Sequence, residues 1–350
     1  MKKTILVINS GSTSLKYKLF AAGKNLRELQ SGYIENIGVG KVKNHNQALK
    51  IALQGIGDLN SIVAVGHRVV HGGESLTDPI KINQRVLSVI EQCSKLAPLH
   101  NPANIQGIKA CLKLLPGVPN IAVFDTGFHQ SIPAKAFRYA LSEKYYRQHK
   151  IRRYGFHGIS YQYVIGQALQ TKLKGKPRAK IIACHLGGGC SISASIGGKS
   201  IDTSMGFTPL EGLIMMSRSG DIDPGVVLFL QGELKMSANQ VDQLLNKESG
   251  IYGLAGEKDW LRLLQKKRQG NKKAQLAFDM FCYRIRKYIG AYYAALGGLD
   301  GLIFTGAIGS GDVTTRRKIC AGLPFLKGVP VLAIKTDEEK MIAQEVIKFI

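Results

Sequence analysis

Several residues of this chain are of types that handle anions, and they stand in similar surroundings. Arg218 lies in Arg218-Ser219-Gly220-Asp221-Ile222-Asp223-Pro224, where Asp223 reads as a helix N-cap and Pro224 as the first helical residue. The guanidinium is therefore expected in a tight loop beside a helix N-terminus. Gly187-Gly188-Gly189 follows the apolar run Ile181-Ile182-Ala183-Cys184, and three residues without Cβ let backbone N–H groups turn inward as an anion cradle. Arg68 sits in an apolar strand, residues 62–70, that ends in His71-Gly72-Gly73. Such an arginine is costly to bury unpaired, so it either meets a structural carboxylate or is aimed at a carboxylate or phosphate, with Val70 as apolar wall. Asp125 ends the strand 120–124, at the carboxyl edge where α/β proteins place ligand chemistry. Arg152-Arg153-Tyr154-Gly155-Phe156-His157-Gly158 sets Arg and His among glycines, a pattern shared by anion sites and surface turns. His100, alone near the end of a loop, ordinarily reads as structural.

The elements that must hold these residues are strand–turn–strand units. Ser191, Ser193 and Ser195 alternate with apolar residues after the glycines, so 181–195 reads as strand, Gly-rich hairpin, strand. No G-x-x-x-x-G-K-[ST] stands at a helix start, which excludes a Walker-type loop. Residues 4–20, TILVINSGSTSLKYKLF, repeat the pattern: an apolar strand, a polar corner at Asn9, a turn through 10–14, and a return strand with Leu15, Tyr17 and Leu19 on one face. Either turn alone reads equally as an ordinary Gly/Ser hairpin. Nearly half a chain apart, the two suggest internal duplication, with two domains facing each other across a cleft and a phosphate turn from each. Helices are expected from about residue 99 through Leu112, from Ser160, and from about Glu338. In the last, Met341-Ile342, Val346 and Phe349-Ile350 recur at helical spacing after an acidic first turn. The first domain is set at 1–129 plus 338–350 and the second at 130–337.

At 350 residues, 45% hydrophobic and 21% charged, the chain can bury a large core divided between two domains. Lys and Arg number 48 against 24 Asp and Glu, a formal charge of +24, mostly spread singly with one dense run at Lys266-Lys267-Arg268 and Lys272-Lys273. No aromatic platform is interleaved and no zinc spacing occurs, which argues against nucleic-acid binding as the main function. Steering of an anionic small substrate accounts for part of the charge; the remainder has no explanation in the sequence. The six cysteines form no C-x-x-C pair and mostly sit among apolar neighbours, implying a reducing compartment. The run Ile5-Leu6-Val7-Ile8 stops at Asn9, too short for a signal peptide, and no span approaches the ~20 apolar residues of a membrane helix. A cytoplasmic protein is expected.

The segments NSGSTSLK, GHRVVHGGE, PLHNP, VFDTGFHQSIP, YGFHGIS, CHLGGGCS, TSMGFTPLEGL, RSGDIDPG and the late TDEE run, in this order, resemble the acetate kinase family over nearly the whole chain. The resemblance implies an α/β fold of two duplicated βββαβαβα domains of the actin-like ATPase (ribonuclease H-like) type, as in sugar kinases, actin and heat-shock chaperone ATPases, with an interdomain cleft. It implies reversible in-line transfer from ATP to acetate, giving acetyl phosphate and ADP. It further implies Mg²⁺, with Mn²⁺ as an alternative, a homodimer, and no membrane partner. Carried onto matching positions, Asn9 and Glu338 would hold the metal and Lys16 would sit by the ATP phosphates. Arg68 and Arg218 would grip the acetate carboxylate and the transferring phosphoryl group, His157 would stabilise the transition state, and Asp125 would be the essential acid. Val70, Leu99, Phe156 and Pro209 would form the methyl pocket. His185, Leu186, Gly187, Gly188 and Gly189 would line the nucleotide, with Asp259, Trp260 and Leu261 and with Ala307, Ile308, Gly309, Ser310 and Gly311. Because a carboxylate nucleophile is already ionised at neutral pH, Asp125 is expected to orient Arg68 or a metal-bound water rather than to accept a proton.

The chain departs from the family pattern in places. Gly188 stands where acetate kinases often carry Asn, giving a triple glycine as in the butyrate kinase branch. Ile159 and Tyr161 replace the usual Thr and His. The Asp-Phe-Arg run of the adenosine site aligns with Asp259-Trp260-Leu261, losing its Arg and leaving Trp260 as a stacking surface. The 305–311 segment lacks the family's Glu and Asn, and the chain is short between Asp312 and Val331. Two alternatives therefore stand beside acetate kinase: a propionate or butyrate kinase, and a non-catalytic nucleotide-sensing or nucleic-acid-binding protein on the same fold. Retention of Arg68, Asp125, His157, Arg218 and Glu338 argues against the second.

Overall fold

The computed structural model describes residues 3–23, 25–98 and 100–350. The chain divides into two units, one of residues 1–130, 157–163 and 337–350, the other of residues 131–156 and 164–336.

The first unit is built on strand β1 (Thr4–Ser10), buried at nearly every position. Its alternate residues feed two separate cores, which explains why it reads as a continuous apolar run rather than an alternating one. Leu6 and Ile8 pack with Leu49, Leu53 and Cys111 on one face, while Ile5 and Val7 pack with Ile342, Ala343 and Val346 on the other. β1 pairs antiparallel with β2 (Leu15–Ala21), which pairs antiparallel with β3 (Arg27–Ile34). On its other side β4 (Ile62–Val69) is parallel to β1, and β6 (Asn120–Phe124) is parallel to β4, with the short β5 (Ile80–Lys81) on the edge. The helix Glu338–Val346, capped by the Asp337 side chain, lies on this sheet. It approaches so closely at Gly66 that a Cβ there would fall 2.6 Å from Ile342 and 2.7 Å from Val346. Met341, Ile342 and Val346 are buried as their spacing predicts, whereas Phe349 and Ile350 are exposed. The α-helix stops at Val346 and a tighter turn follows, so the 3.6-residue period no longer applies to them.

The second unit repeats the plan. β7 (Lys180–Leu186), β8 (Cys190–Ile196) and β9 (Lys199–Thr203) form an antiparallel meander, and β10 (Gly301–Thr305) and β11 (Val331–Ala333) follow in parallel. The strand orders 3-2-1-4-6 and 9-8-7-10-11 are the same arrangement, so the duplication suggested by the two turns extends to both sheets. The helix Pro224–Gly232 begins as expected, with Asp223 accepting from the Gly225 N–H at 2.8 Å, but it buries none of its residues.

Sequence reading placed residues 157–163 in the second domain and began their helix at Ser160. The helix is Gly158–Gln170, and its residues through Tyr163 belong to the first unit. Gly158 explains the placement: its N–H donates to the Asp125 carbonyl at 3.0 Å, and a Cβ there would lie 2.0 Å from that oxygen. Ile159 then joins the core containing Ile5 and Val123.

Candidate active site

In the first unit a charged cluster forms at the carboxyl ends of β1, β4 and β6. Arg68 donates from Nε (3.1 Å) and Nη2 (2.5 Å) to Oδ2 of Asp125, itself 1% exposed. Its Nη1 lies 3.5 Å from Oδ1 of Asn9 and 3.7 Å from Oε2 of Glu338. Burial works against the Arg68 charge, yet the Asp125 and Glu338 carboxylates outweigh it and hold the guanidinium above its ordinary pKa. Oδ1 of Asp125 is buried with no hydrogen-bond partner among the described residues.

Glu339 was not singled out in the sequence. It is 2% exposed and accepts from Lys16 at 2.9 Å and from Asn9 at 3.4 Å. A signal was there: Glu339, Ile342 and Val346 share a helix face at spacings of three and four, so an acid had to lie on the buried stripe. His157 has φ +58, the left-handed region unusual for a side chain with Cβ, immediately before the helix at Gly158. Val70 is buried, and its N–H donates to the Asn104 side chain at 3.0 Å. Leu99, assigned to the methyl pocket, lies outside the described residues.

Metal candidates in this unit are oxygen donors. The Asn9 amide oxygen and Glu338 Oε2 converge on the same Arg68 nitrogen. Two such oxygens suit Mg²⁺, which takes one or two side-chain ligands and fills its octahedron with phosphate oxygens and water. Among the described residues no group of three or more His, Cys, Asp or Glu side chains gathers as a ready-made metal cage.

In the second unit β7 and β8 are joined by the three glycines, with Leu186 opposite Cys190 as the last pair. His185 and Leu186 form the end of β7. The turn is closed by Gly187 N–H to the Gly189 carbonyl at 3.1 Å, and Met216 N–H reaches the Gly188 carbonyl at 3.3 Å. The helix Gly306–Gly311, which contains Ala307, Ile308, Gly309 and Ser310, starts beside this turn. Gly306 has φ +78, and a Cβ there would lie 2.5 Å from the Leu186 carbonyl, so only glycine admits the approach. Gly188 is different, since a Cβ there would meet nothing within 4 Å. Packing therefore does not dictate the triple glycine.

Arg218 lies in this unit with Nη1 donating to the Pro209 carbonyl at 3.3 Å and facing Met215 Sδ at 3.7 Å. Among the described residues no carboxylate lies within ion-pair distance of it. Burial lowers its pKa from the ordinary arginine value. Its loop is firmly tied: Met215 N–H donates to the Arg218 carbonyl at 3.1 Å, and Gly212 N–H to the Asp221 carboxylate at 2.7 Å. Phe156 is buried at 2% exposure.

Other residues singled out in this unit have protein partners or exposures of their own. Trp260 is 8% exposed, donates from Nε1 to Asp312 at 3.0 Å, and packs 4.7 Å from the Phe281 ring and 6.0 Å from Phe278. It is a core residue, so it offers no stacking face. Asp259 caps its helix by accepting from the Arg262 N–H at 2.8 Å, and Leu261 points outward at 72% exposure. The Ser310 hydroxyl donates to the Gly306 carbonyl at 2.8 Å, within its own helix. Arg153 is neither an anion site nor a surface turn: it pairs with Glu211 and donates to the carbonyls of Thr203, Ser204 and Met205. Arg152 is buried with its guanidinium 3.7 Å from the Phe137 ring centre.

The sequence profile of the acetokinase family matches residues 4–346. The acetate kinase of Treponema denticola is 43% identical, with 99% of each chain covered. Among solved structures, the acetate kinase of Porphyromonas gingivalis superposes with a TM-score of 0.92 at 38% identity, covering 99% of both chains. A propionate kinase from Francisella tularensis gives 0.88 at 38%, covering 99% of this chain and 100% of that one. At 13% identity a ROK family protein from Streptococcus pneumoniae shares the fold alone, with a TM-score of 0.51 over 98% and 96% of the two chains. A match of this extent, on a chain whose two sheets repeat one plan, establishes that the protein belongs to the acetokinase family.

Proposed function

We propose that the protein transfers the γ-phosphoryl group of ATP to acetate, reversibly, by direct in-line displacement. A carboxylate oxygen attacks phosphorus, the bond to the β-phosphate oxygen breaks, and acetyl phosphate and ADP leave without a proton transfer. The observation that carries this reading is Arg218, a partly buried guanidinium with no acidic partner among the described residues of its unit. A cation so placed is stabilised by an anion that arrives from outside.

Phosphoryl transfer asks the protein for positioning and compensation of spread negative charge, which two arginines supply. Arg68, oriented by Asp125, would hold one anionic partner, and Arg218 the other. Val70 in the first unit, and Phe156 and Pro209 in the second, would each offer apolar surface to the acetate methyl group. The His157 ring, carried on its left-handed backbone, would donate to the equatorial phosphoryl oxygens. Lys16 and the glycine turn 187–189, with the start of helix Gly306–Gly311, would cradle the nucleotide phosphates through N–H groups. Mg²⁺, held by Asn9 and Glu338, would neutralise phosphate charge, and Glu339 would fix Asn9 and Lys16 in place.

The helix Pro224–Gly232 leaves Val226, Leu228 and Phe229 exposed, which supports a homodimer through this face. The free cysteines, five of them buried, support a cytoplasmic setting, and no described helix is long and apolar enough to cross a membrane. A coupled ADP-release assay over acetate, propionate and butyrate tests the substrate. Acetate is expected to give the highest kcat/KM, and a higher value for propionate or butyrate would transfer the assignment to that acid.

A further inference from the structure

We propose that Asn104 is a positioning residue that sets the spacing between the turn 10–14 and the strand end carrying Arg68 and Val70. This rests on the reading of that turn and of Arg68 given above. β1 and β4 run parallel with Ile8 opposite His67 as their last registered pair, so beyond it the two backbones part. Asn104, 3% exposed on the helix Asn101–Leu114, bridges the opening with one amide. Its Nδ2 donates to the Ser10 carbonyl at 2.7 Å, and its Oδ1 accepts from the Val70 N–H at 3.0 Å. A side-chain amide has the donor and acceptor of a peptide group, so it serves as one further rung between strands that have separated.

The same helix presses on the turn at a second point. A Cβ at Gly107 would lie 2.2 Å from Ser10 Oγ and 3.1 Å from Ser10 Cβ. Asn101, earlier on this helix and fully buried, offers the contrast: its amide bonds the N–H and carbonyl of His71 and the Ile90 carbonyl, and its bonds do not reach β1. Asn101 braces a loop, whereas Asn104 ties the strand of Asn9 to the strand of Arg68. In a reaction limited by in-line approach, that spacing enters kcat, while each substrate still binds through its own strand.

Asn104→Leu keeps the branching of the side chain and removes both hydrogen bonds. The expected result is a kcat lower by on the order of 10²-fold, the scale of a 1 Å misplacement. The KM values for ATP and acetate should each stay within about threefold, since uniform binding is untouched. Leu53→Ala, a core truncation in another helix, serves as the stability control and should lower the unfolding temperature without lowering kcat of the folded enzyme. Unchanged kcat in folded Asn104→Leu, or raised KM values at constant kcat, overturns the proposal. Should Asn104→Leu fail to fold, Gly107→Ala decides, because its methyl group displaces Ser10 while both Asn104 bonds remain available. It must show the same fall in kcat with KM retained, and unchanged kcat overturns the proposal. Arg68→Lys separates the two levels: if it too is silent, the reading of the site falls and this proposal with it. If it is impaired while Asn104→Leu is not, only the spacing role falls.

Discussion

Arg68 and Arg218 carry the same guanidinium into surroundings built on opposite plans. Around Arg68 the first unit assembles Asp125, Glu338 and the Asn9 amide, so the charge is compensated within the fold and raised in pKa. Around Arg218 the second unit offers a carbonyl and a thioether, and burial lowers its pKa. Two sheets of one design thus differ in their electrostatic task. The first presents a preorganised cation whose direction is set by its own carboxylate. The second holds a cation whose desolvation no carboxylate among the described residues offsets, and which an arriving anion would offset under the proposed function.

Replacing Arg218 is the sharpest way to break this contrast. Arg218→Lys should cut turnover by on the order of 10²–10⁴-fold, the range of arginine-finger effects, because a lysine cannot reproduce the planar fork. Its thermal stability should change little, since no partner charge is left behind. Near-normal turnover would remove Arg218 from the site. Arg68→Met should cost stability as well as activity, by about 3–5 kcal/mol, because Asp125 becomes a buried uncompensated carboxylate. Urea unfolding measures this, and a stability equal to that of Arg218→Lys would erase the distinction between the two arginines.

Compensation in the first unit can also be probed with pH. Burial pushes His67 and His71 down to about 4 from the ordinary 6.5. Between those values the unfolded chain binds protons that the folded chain refuses, so their contribution is present above the ordinary pKa and is lost as pH falls. Each is worth at most about 3 kcal/mol over that window. Unfolding free energy should therefore drop between about pH 6.5 and about pH 4, with a smaller drop in His67→Gln, and a flat profile would contradict the assignment. The smallest effect concerns the base. With Trp260 in the core and the arginine of the adenosine motif absent, GTP and ITP should support turnover within roughly tenfold of ATP, about 1.4 kcal/mol. A preference for ATP well above a hundredfold, measured as kcat/KM at saturating acetate, would mean that other residues of the second unit read the purine.

Much of this arrangement was legible in the chain. The strands at 4–10 and 180–186, the glycine corners that follow them, the Asp223 cap and the helix after Asp337 all depend on residues within a few positions of one another, where propensity, period and capping chemistry act. Arg68 left two readings open, a structural carboxylate partner or a ligand, and the fold supplies the first through Asp125, 57 residues away. Trp260 was misread because a tryptophan beside a helix cap looks the same whether it faces solvent or Phe281. Its partners are Phe281, on the helix Lys272–Leu296, and Asp312, the cap of the helix Val313–Cys320, and they become visible only when those helices pack.

What the sequence by itself determined is therefore the set of parts: two strand–turn–strand cradles, the arginines, the acids and the glycines that let backbones approach. What only the tertiary structure decided is which charge meets which. It gave Asp125 to Arg68, Glu339 rather than Glu338 to Lys16, residues 157–163 to the first unit and, among the described residues, no acid to Arg218. The reason is physical. Local conformation is set by steric and hydrogen-bonding preferences over a few residues, whereas pairing and burial of charge depend on segments up to 323 positions apart being brought within 3 Å, as for Lys16 and Glu339.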